Sequence, residues 1–358
     1  MLGMFRFTKF SKVDIGDSFF DTLKSDYPEF SQWYQKKADE GATALVFSDD
    51  EGLGAFVYLK SENEPIELAE CTLPAISRKK IGTLKLAERF QGQRLGEGAL
   101  GLALWDWHST KEQEIYVTVF EKQALLISQL TRFGFNMVGR KNNGECVYLR
   151  SRLHVDYGDP YKSFPFINPA FAGSGYLVVD DVYHDTLFPY SELKNTFQEQ
   201  LSLSVANGFT KIYLGSPMSA LPYQKGEPLL VYRKYTGTAG KKGFKSCITS
   251  YCVVTEIIVA KQNGVIKMPF DELIRRISNK SVFDEQDIRT KYERERNLTV
   301  IEMLYYGYFG EGNNINWVWL KNNGYMDERY PTTIRLTQNQ FKSILAEGKV
   351  DVQNVIID

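Results

Sequence analysis

The sequence predicts an α/β protein in two domains: a mixed sheet with flanking helices over residues 1–152, and a second sheet-bearing domain over residues 171–358. Three observations lead there. The chain has 358 residues, about two domains of ordinary size. In its first 152 residues the hydrophobic patterns follow the order β, αα, βββ, α, β, α, ββ, which is not the strict alternation of a doubly wound dinucleotide fold. One of those strands runs into a glycine-bearing polar turn and then a helix start, Leu84-Lys85-Leu86-Ala87-Glu88-Arg89-Phe90-Gln91-Gly92-Gln93-Arg94-Leu95-Gly96.

Each element of the first half has its own signal. Phe5-Arg6-Phe7-Thr8-Lys9-Phe10 alternates, as a half-buried strand does. Residues 17–38 read as two helical pieces broken at Tyr27-Pro28, because proline keeps the residue before it out of the helical region. Residues 43–47 and 54–60 are strands joined across Asp49-Asp50-Glu51-Gly52, a hairpin turn. Residues 62–67 form a charged loop, and residues 81–89 the strand that enters the polar turn. The helix over residues 95–108 is apolar round much of its circumference, which suits burial against a sheet. Residues 114–120 are rich in strand formers. Residues 124–133 are helical, with Gly134 as C-cap, and residues 136–140 and 146–150 form a closing hairpin across Asn142-Asn143-Gly144.

Residues 153–170, with Gly158-Asp159-Pro160, Phe164-Pro165 and Pro169, read as a linker. Beyond it the pattern gives an apolar strand at 176–179, a helix over 190–207, strands at 211–215, 229–233 and 247–258, and helices at 271–277 and 284–296. Trp317-Val318-Trp319-Leu320 and Ile334-Arg335-Leu336 read as late strands, and residues 338–346 as a final helix.

Composition narrows the function classes. Hydrophobic residues make up 43% and charged residues 24% of the chain, so a packed globular protein is expected rather than a disordered one. The formal net charge is −1, which gives no global attraction to nucleic acid or membrane, although residues 221–300 carry more Lys and Arg than Asp and Glu. The four cysteines and three histidines are scattered without zinc spacing, so no metal is expected, and the thiols suit a reducing cytoplasm. No signal peptide and no membrane-spanning run is read.

The chemistry concentrates at the polar turn. Gly92 and Gly96 let the backbone approach a ligand closely. The helix behind them points its unpaired N–H groups and positive dipole end into the turn, which suits a phosphate or diphosphate. Gln91-Gly92-Gln93-Arg94-Leu95-Gly96 resembles the Gln/Arg-x-x-Gly-x-Gly/Ala diphosphate loop of the GNAT superfamily of N-acetyltransferases. Gln129-Leu130-Thr131-Arg132-Phe133-Gly134-Phe135 is similar to the Tyr-x-x-x-Gly-Phe helix end of the same family. The resemblance spans residues 4–152 and implies the GNAT acyltransferase fold with acetyl-CoA as acyl donor. On it, the cofactor-binding residues are Leu86, Ala87, Gln91, Gly92, Gln93, Arg94, Leu95, Gly96 and Gln123. Arg94 stands where the family has its middle glycine. Leu130 stands where many members have the tyrosine that protonates the leaving thiolate, so the usual acid is missing. Glu88 is the candidate base and Tyr116 the candidate acid, with a surface carboxylate and a core ring as their alternatives.

In the second half, Gly226-Glu227-Pro228-Leu229-Leu230-Val231-Tyr232-Arg233 followed by Ile248-Thr249-Ser250-Tyr251-Cys252-Val253-Val254-Thr255-Glu256 resembles the PUA-like superfamily, which includes the ASCH and EVE domains. That implies a small β-barrel with helices that recognises RNA or a modified nucleobase. Tyr232, Arg233, Lys241, Lys242 and Lys245 mix rings with positive charge and are the candidate nucleic-acid residues. Together the two resemblances imply an acetyl-CoA-dependent N-acetyltransferase acting on an amine of RNA or of an aminoacyl-tRNA. By analogy it is a toxin with an antitoxin partner, or a homo-oligomer, and it has no membrane partner. The alternatives are a protein or small-molecule acetyltransferase, and a non-catalytic protein that binds acetyl-CoA or a modified base.

Overall fold

A computed structural model gives the architecture and describes residues 4–191, 203–218, 221–238, 240 and 242–357. The chain divides into two compact units, residues 1–154 and 155–358.

The first unit is built on a seven-stranded mixed sheet. Its elements in chain order are β1 (Arg6–Lys9), α1 (Asp21–Asp26), α2 (Phe30–Asp39), β2 (Thr43–Asp49), β3 (Gly52–Glu62), a short ladder of β4 (Ile66–Glu67) with β5 (Thr72–Leu73), β6 (Arg78–Leu86), α3 (Leu95–His108), β7 (Glu114–Val119), α4 (Ala124–Arg132), β8 (Asn136–Arg140) and β9 (Cys146–Ser151). The strand order is β1-β2-β3-β6-β7-β9-β8. Every neighbouring pair is antiparallel except β6 with β7, which is parallel. α3 supplies the crossover between that parallel pair, as a parallel connection requires. This is the mixed α/β architecture of the acetyltransferase fold, with the element order read from the sequence.

Two cores hold the sheet. On one face α1 and α2 cover an aromatic cluster that includes Phe10, Phe20, Phe30, Tyr34 and Phe56. Phe10 sits at its centre, with ring centroids of Tyr34, Phe56 and Tyr58 at 4.9–5.1 Å. α3 is the more deeply buried helix: Leu95, Ala99, Leu100, Ala103, Leu104 and Trp107 are all fully enclosed. Gly134 has φ +79° and closes α4 as the sequence predicts.

The second unit carries an eight-stranded sheet. Its elements are α5 (Pro160–Ser163), β10 (Ser174–Asp180), α6 (Asp181–Leu187), α7 (Leu203–Asn207), β11 (Thr210–Gly215), β12 (Pro228–Lys234), α8 (Lys242–Lys245), β13 (Cys247–Gln262), β14 (Val265–Ile266), α9 (Phe270–Ile277), α10 (Glu285–Arg294), β15 (Leu298–Tyr308), β16 (Ile315–Asn316), α11 (Trp317–Asn322), β17 (Arg335–Leu336), α12 (Gln338–Glu347) and α13 (Val352–Val355). The main path is β11-β15-β13-β12-β10-β17, with β14 and β16 each paired to β13.

Three local readings of this half change. Trp317 to Leu320 is helical, not a strand, because Asn316 caps α11 by accepting from the Trp319 N–H at 2.9 Å. The two tryptophans therefore do not share a face. β15, which the sequence pattern does not reveal, lies between β11 and β13, one strand in from the β11 edge. Residues 157–170, read within the linker, are packed into this unit: Phe164, Phe166 and Ile167 are fully buried, and the Tyr157 hydroxyl donates to the Ile357 carbonyl at 2.7 Å. Most of the helix expected over 190–207 lies outside the described residues.

Candidate active site

The site is a wedge in the first sheet. β6 and β7 share four register pairs, from Arg78 with Glu114 to Ile81 with Val117. Past Ile81, β6 continues to Leu86 and β7 to Val119 without pairing to each other. On its other side β6 stays paired with β3 up to Leu86 with Ala55, skipping Gly82 at a bulge. Residues 82–86 thus keep one edge satisfied and turn the other, unpaired edge into the gap. Backbone groups without a strand partner are strong hydrogen-bonding sites for an extended ligand.

The loop at the mouth of the wedge is shaped by two left-handed residues. After Leu86, residues 88–90 form a single 3-10 turn. Gly92 has φ +76°. Arg94, the N-cap residue of α3, has φ +59° and ψ 13° and offers the helix no side-chain cap. A non-glycine residue there carries a modest conformational cost. Gly96 packs closely under the loop, where a Cβ would come within 3.0 Å of Leu86 Cδ1. The helix N–H groups and dipole therefore meet the end of β6 in one place.

The Arg94 side chain turns back onto its own helix. Its guanidinium reaches Glu97, Nε to Oε2 at 3.1 Å and Nη2 to Oε1 at 2.8 Å, and both side chains are under 10% exposed. Gln91 and Gly92 are exposed, and Gln93 is half-buried. Leu86 and Ala87 are half-buried at the strand end, with the Ala87 N–H committed to the Gly54 carbonyl at 2.8 Å. Gln123 is exposed just past the end of β7, on the opposite lip, and its side chain does not cap α4. Of the nine residues expected to hold the acyl donor, Leu86, Ala87, Gln91, Gly92, Gln93, Gly96 and Gln123 are exposed or half-buried, whereas Leu95 is fully enclosed and the Arg94 side chain is committed to Glu97. The unpaired strand edge and the uncapped helix start fit the extended arm and the diphosphate of a thioester carrier.

The two candidate catalytic residues are not brought together. Glu88 lies in the turn beyond the strand, not on its last residue, and is exposed. Tyr116 pairs with Lys80 in the closed part of the wedge, about 20 Å of strand away from Leu86 at ~3.3 Å per residue. Its ring is buried among Ile66, Leu68 and Val147, and its hydroxyl donates to Glu62. Burial, with the Glu62 carboxylate adding to it, pushes the phenol pKa well up. Such a group holds its proton and is a poor acid at neutral pH. Leu130 is fully buried in α4.

The sequence reading missed a second set of groups on the α1 and α2 side of the wedge. Glu145, buried just before β9, accepts from the Tyr27 hydroxyl at 3.0 Å and the Thr118 hydroxyl at 3.2 Å. Thr118 is the first β7 residue past the last register pair. Lys85 donates to Thr22, and Lys122 reaches Asp26 at 2.9 Å. Burial lowers the Lys85 pKa, against the pull of Glu88, Asp26 and Asp21. No spacing rule links Tyr27, Thr118 and Glu145, which only the sheet topology gathers.

In the second unit, Tyr232 and Arg233 are interior, which corrects the expectation of a surface role. Arg233 is under 10% exposed, with Nε 3.2 Å from Asp185 Oδ1. Asp185 also meets the fully buried His184 at 2.8 Å, and His184 Nε2 lies 2.7 Å from Thr249 Oγ1. A strand that commits its buried arginine to half-buried carboxylates presents nothing to a phosphate. Lys242 and Lys245 are exposed on α8, with Lys245 4.6 Å from the centroid of the Tyr235 ring. Lys241 lies outside the described residues. Among the described residues no cluster of His, Cys, Asp and Glu could hold a metal, and no helix is long and apolar enough to cross a membrane.

No family model and no curated protein matches the chain. Solved structures resemble parts of it. A mutant of the AtaT toxin bound to the C-terminus of the antitoxin AtaR and acetyl-CoA is 14% identical, covering 42% of this chain and 92% of its own, with a TM-score of 0.29. A GNAT-family acetyltransferase from Streptococcus agalactiae is 12% identical, covering 42% and 95%, with a TM-score of 0.30. A mutant ASCH protein from Zymomonas mobilis is 10% identical, covering 48% and 94%, with a TM-score of 0.30. The fold assignment of the first unit stands on its strand order and register, independently of these likenesses.

Proposed function

We propose that the first unit is an acetyl-CoA-dependent N-acetyltransferase, with an amine of RNA or of an aminoacyl-tRNA as acceptor and the PUA-like second half as its RNA-recognition module. The observation that carries the reading is the parting of β6 from β7 beside an uncapped helix start. When bound, acetyl-CoA supplies an acyl group already activated as a thioester. The chain's own part is to bind the diphosphate through loop and helix N–H groups and to align the arm along residues 82–86. It also aims backbone N–H groups at the oxygen that gains charge. The exposed Lys242 and Lys245 beside Tyr235 are the residues proposed to meet RNA, with Tyr232 and Arg233 behind them in the interior. A role as a cytoplasmic toxin, with an antitoxin partner, belongs to the same reading.

A second reading has a specific observation in its favour. Tyr116 is tied to Glu62 and Leu130 is enclosed, so neither supplies an acid at the wedge mouth. The alternative is a protein that binds acetyl-CoA without transferring its acyl group. Calorimetry with acetyl-CoA, followed by mass spectrometry of total RNA and protein after incubation with labelled acetyl-CoA, separates the two. Transfer requires both binding and label on an acceptor. Binding without label favours the second reading, and no binding, with Gln91→Ala indistinguishable from the parent, removes both. Affinity for tRNA should fall steeply with salt if phosphates are neutralised.

A further inference from the structure

Lys80 stands at the root of the wedge. It is the third of the four β6 residues paired with β7, lies opposite Tyr116, and sits one residue before the last pair. Its Nζ lies 5.2 Å from the centroid of the Tyr116 ring and makes no hydrogen bond or ion pair among the described residues. Three of the other lysines on β3 and β6 are engaged. Lys79 pairs with Asp106 at 3.1 Å, Lys60 with Glu62, and Lys85 with the Thr22 hydroxyl. The nearby carboxylates are engaged as well: Glu62 takes the Tyr116 hydroxyl, and Glu145 takes Tyr27, Thr118 and Asn143. Lys80 is thus a half-buried amine set against the Tyr116 ring, with no hydrogen bond or ion pair among the described residues.

Its position matters because of where an acyl carrier would end. A diphosphate held near residues 91–96 sends its arm back along the open edge of β6, about 17 Å from Leu86 to Ile81 at ~3.3 Å per residue. That track closes at the register pair beside Lys80. We infer that Lys80 is a self-acetylation site, its ε-amine taking the acetyl group of acetyl-CoA held in the wedge. This rests on the wedge being the acetyl-CoA site. The lysine first gives one proton to solvent. Its nitrogen lone pair then attacks the thioester carbonyl carbon, a C–N bond forms, and the C–S bond breaks as the tetrahedral adduct collapses. The sulfur leaves with the bond pair and takes up the second nitrogen proton. Ammonium plus thioester gives acetamide, free thiol and one proton, with no change of oxidation state.

The surroundings favour the neutral amine that attack requires. Burial lowers the Lys80 pKa. Glu62 and Glu145 oppose that shift, and the positive charges of Lys60 and Lys141 reinforce it. Acetylation would remove one of three neighbouring positive charges and fill the root of the wedge.

The test uses the full chain and acetyl-CoA alone. The protein is incubated over a range of acetyl-CoA concentrations, digested with a protease that does not cut at lysine, and mapped by mass spectrometry. Lys12, exposed on the same unit, serves as the reference for uncatalysed acetylation. Lys80 should label at least about ten-fold faster than Lys12, as a held reactant does, saturating with acetyl-CoA and slowing when excess CoA competes. Lys80→Arg should bind acetyl-CoA by calorimetry and lose that label. If acetyl-CoA binds the parent protein but Lys80 labels no faster than Lys12, self-acetylation is overturned while the wedge reading survives. If acetyl-CoA does not bind, the wedge reading fails and takes this inference with it. Mapping the parent protein decides the matter even if the variant does not fold.

Discussion

Arg94 tests how backbone and side chain share one position. Its φ of +59° suits glycine, while its guanidinium holds Glu97 in a buried pair. Arg94→Gly and Arg94→Ala both remove the pair, so their difference isolates the backbone. The glycine variant should be the more stable by about 1 kcal/mol, read from urea midpoints. Equal midpoints would mean that the loop relaxes and that φ is not held by the fold. Tyr116 allows a second residue-scale test. Tyr116→Phe leaves the ring in place and leaves Glu62 with Lys60 alone, so stability should fall by about 1–2 kcal/mol. Acetyl transfer should change less than two-fold if the hydroxyl is structural, as its tie to Glu62 implies. A hundred-fold loss of kcat with unchanged acetyl-CoA affinity would restore it as an acid.

At the scale of elements, the wedge depends on how β3 and the loop pack. A Cβ at Gly54 would lie 2.5 Å from Phe90 Cε2 and 2.6 Å from Phe47 Cδ1, and Phe90 anchors the turn before Gly92. Gly54→Ala should therefore cost about 1–3 kcal/mol through overpacking and also weaken acetyl-CoA binding, by displacing the loop. A stability loss with unchanged affinity would show that the loop moves independently of Phe90. The elements that periodicity reveals best are those with one buried face. α3 runs over the residues the pattern gave, and α1 and α2 break at Tyr27-Pro28. β15 is buried along nearly its whole length, so it has no alternation to mark it, and its tyrosines and glycine blur its end. Trp317 to Leu320 has the alternation of a strand, but Asn316 starts a helix there, and a cap outweighs so short a pattern. The glycine-bearing turn proposed to hold the diphosphate could be read as a strand-turn-helix corner because its residues are contiguous. The Tyr27, Thr118 and Glu145 group could not be read, because three separate elements deliver it.

For the whole molecule, acid response should report on the second unit through a single histidine. His184 is fully enclosed between Asp185 and Thr249, beside Arg233. Burial lowers its pKa below the ordinary value, with the neighbouring carboxylates opposing and Arg233 assisting. The folded state therefore binds fewer protons here than the unfolded chain. Stability from this group is fully present above the unfolded value of about 6.5 and declines as pH falls below it, until the folded pKa is reached. Asp185 has a depressed pKa as well: burial pushes it up, but His184 and Arg233 outweigh that, so its contribution is lost only at more acid pH, below about 3.9. Two windows are thus expected. His184→Gln should flatten the decline that begins below pH 6.5 in urea midpoints for the second unit, and leave the steeper acid limb in place. An unchanged slope over the upper window would mean that His184 is protonated in the fold, with Asp185 offsetting its charge against the opposition of Arg233. Thr249 would then accept from the ring, and the cluster would be an ion network rather than a neutral buried imidazole.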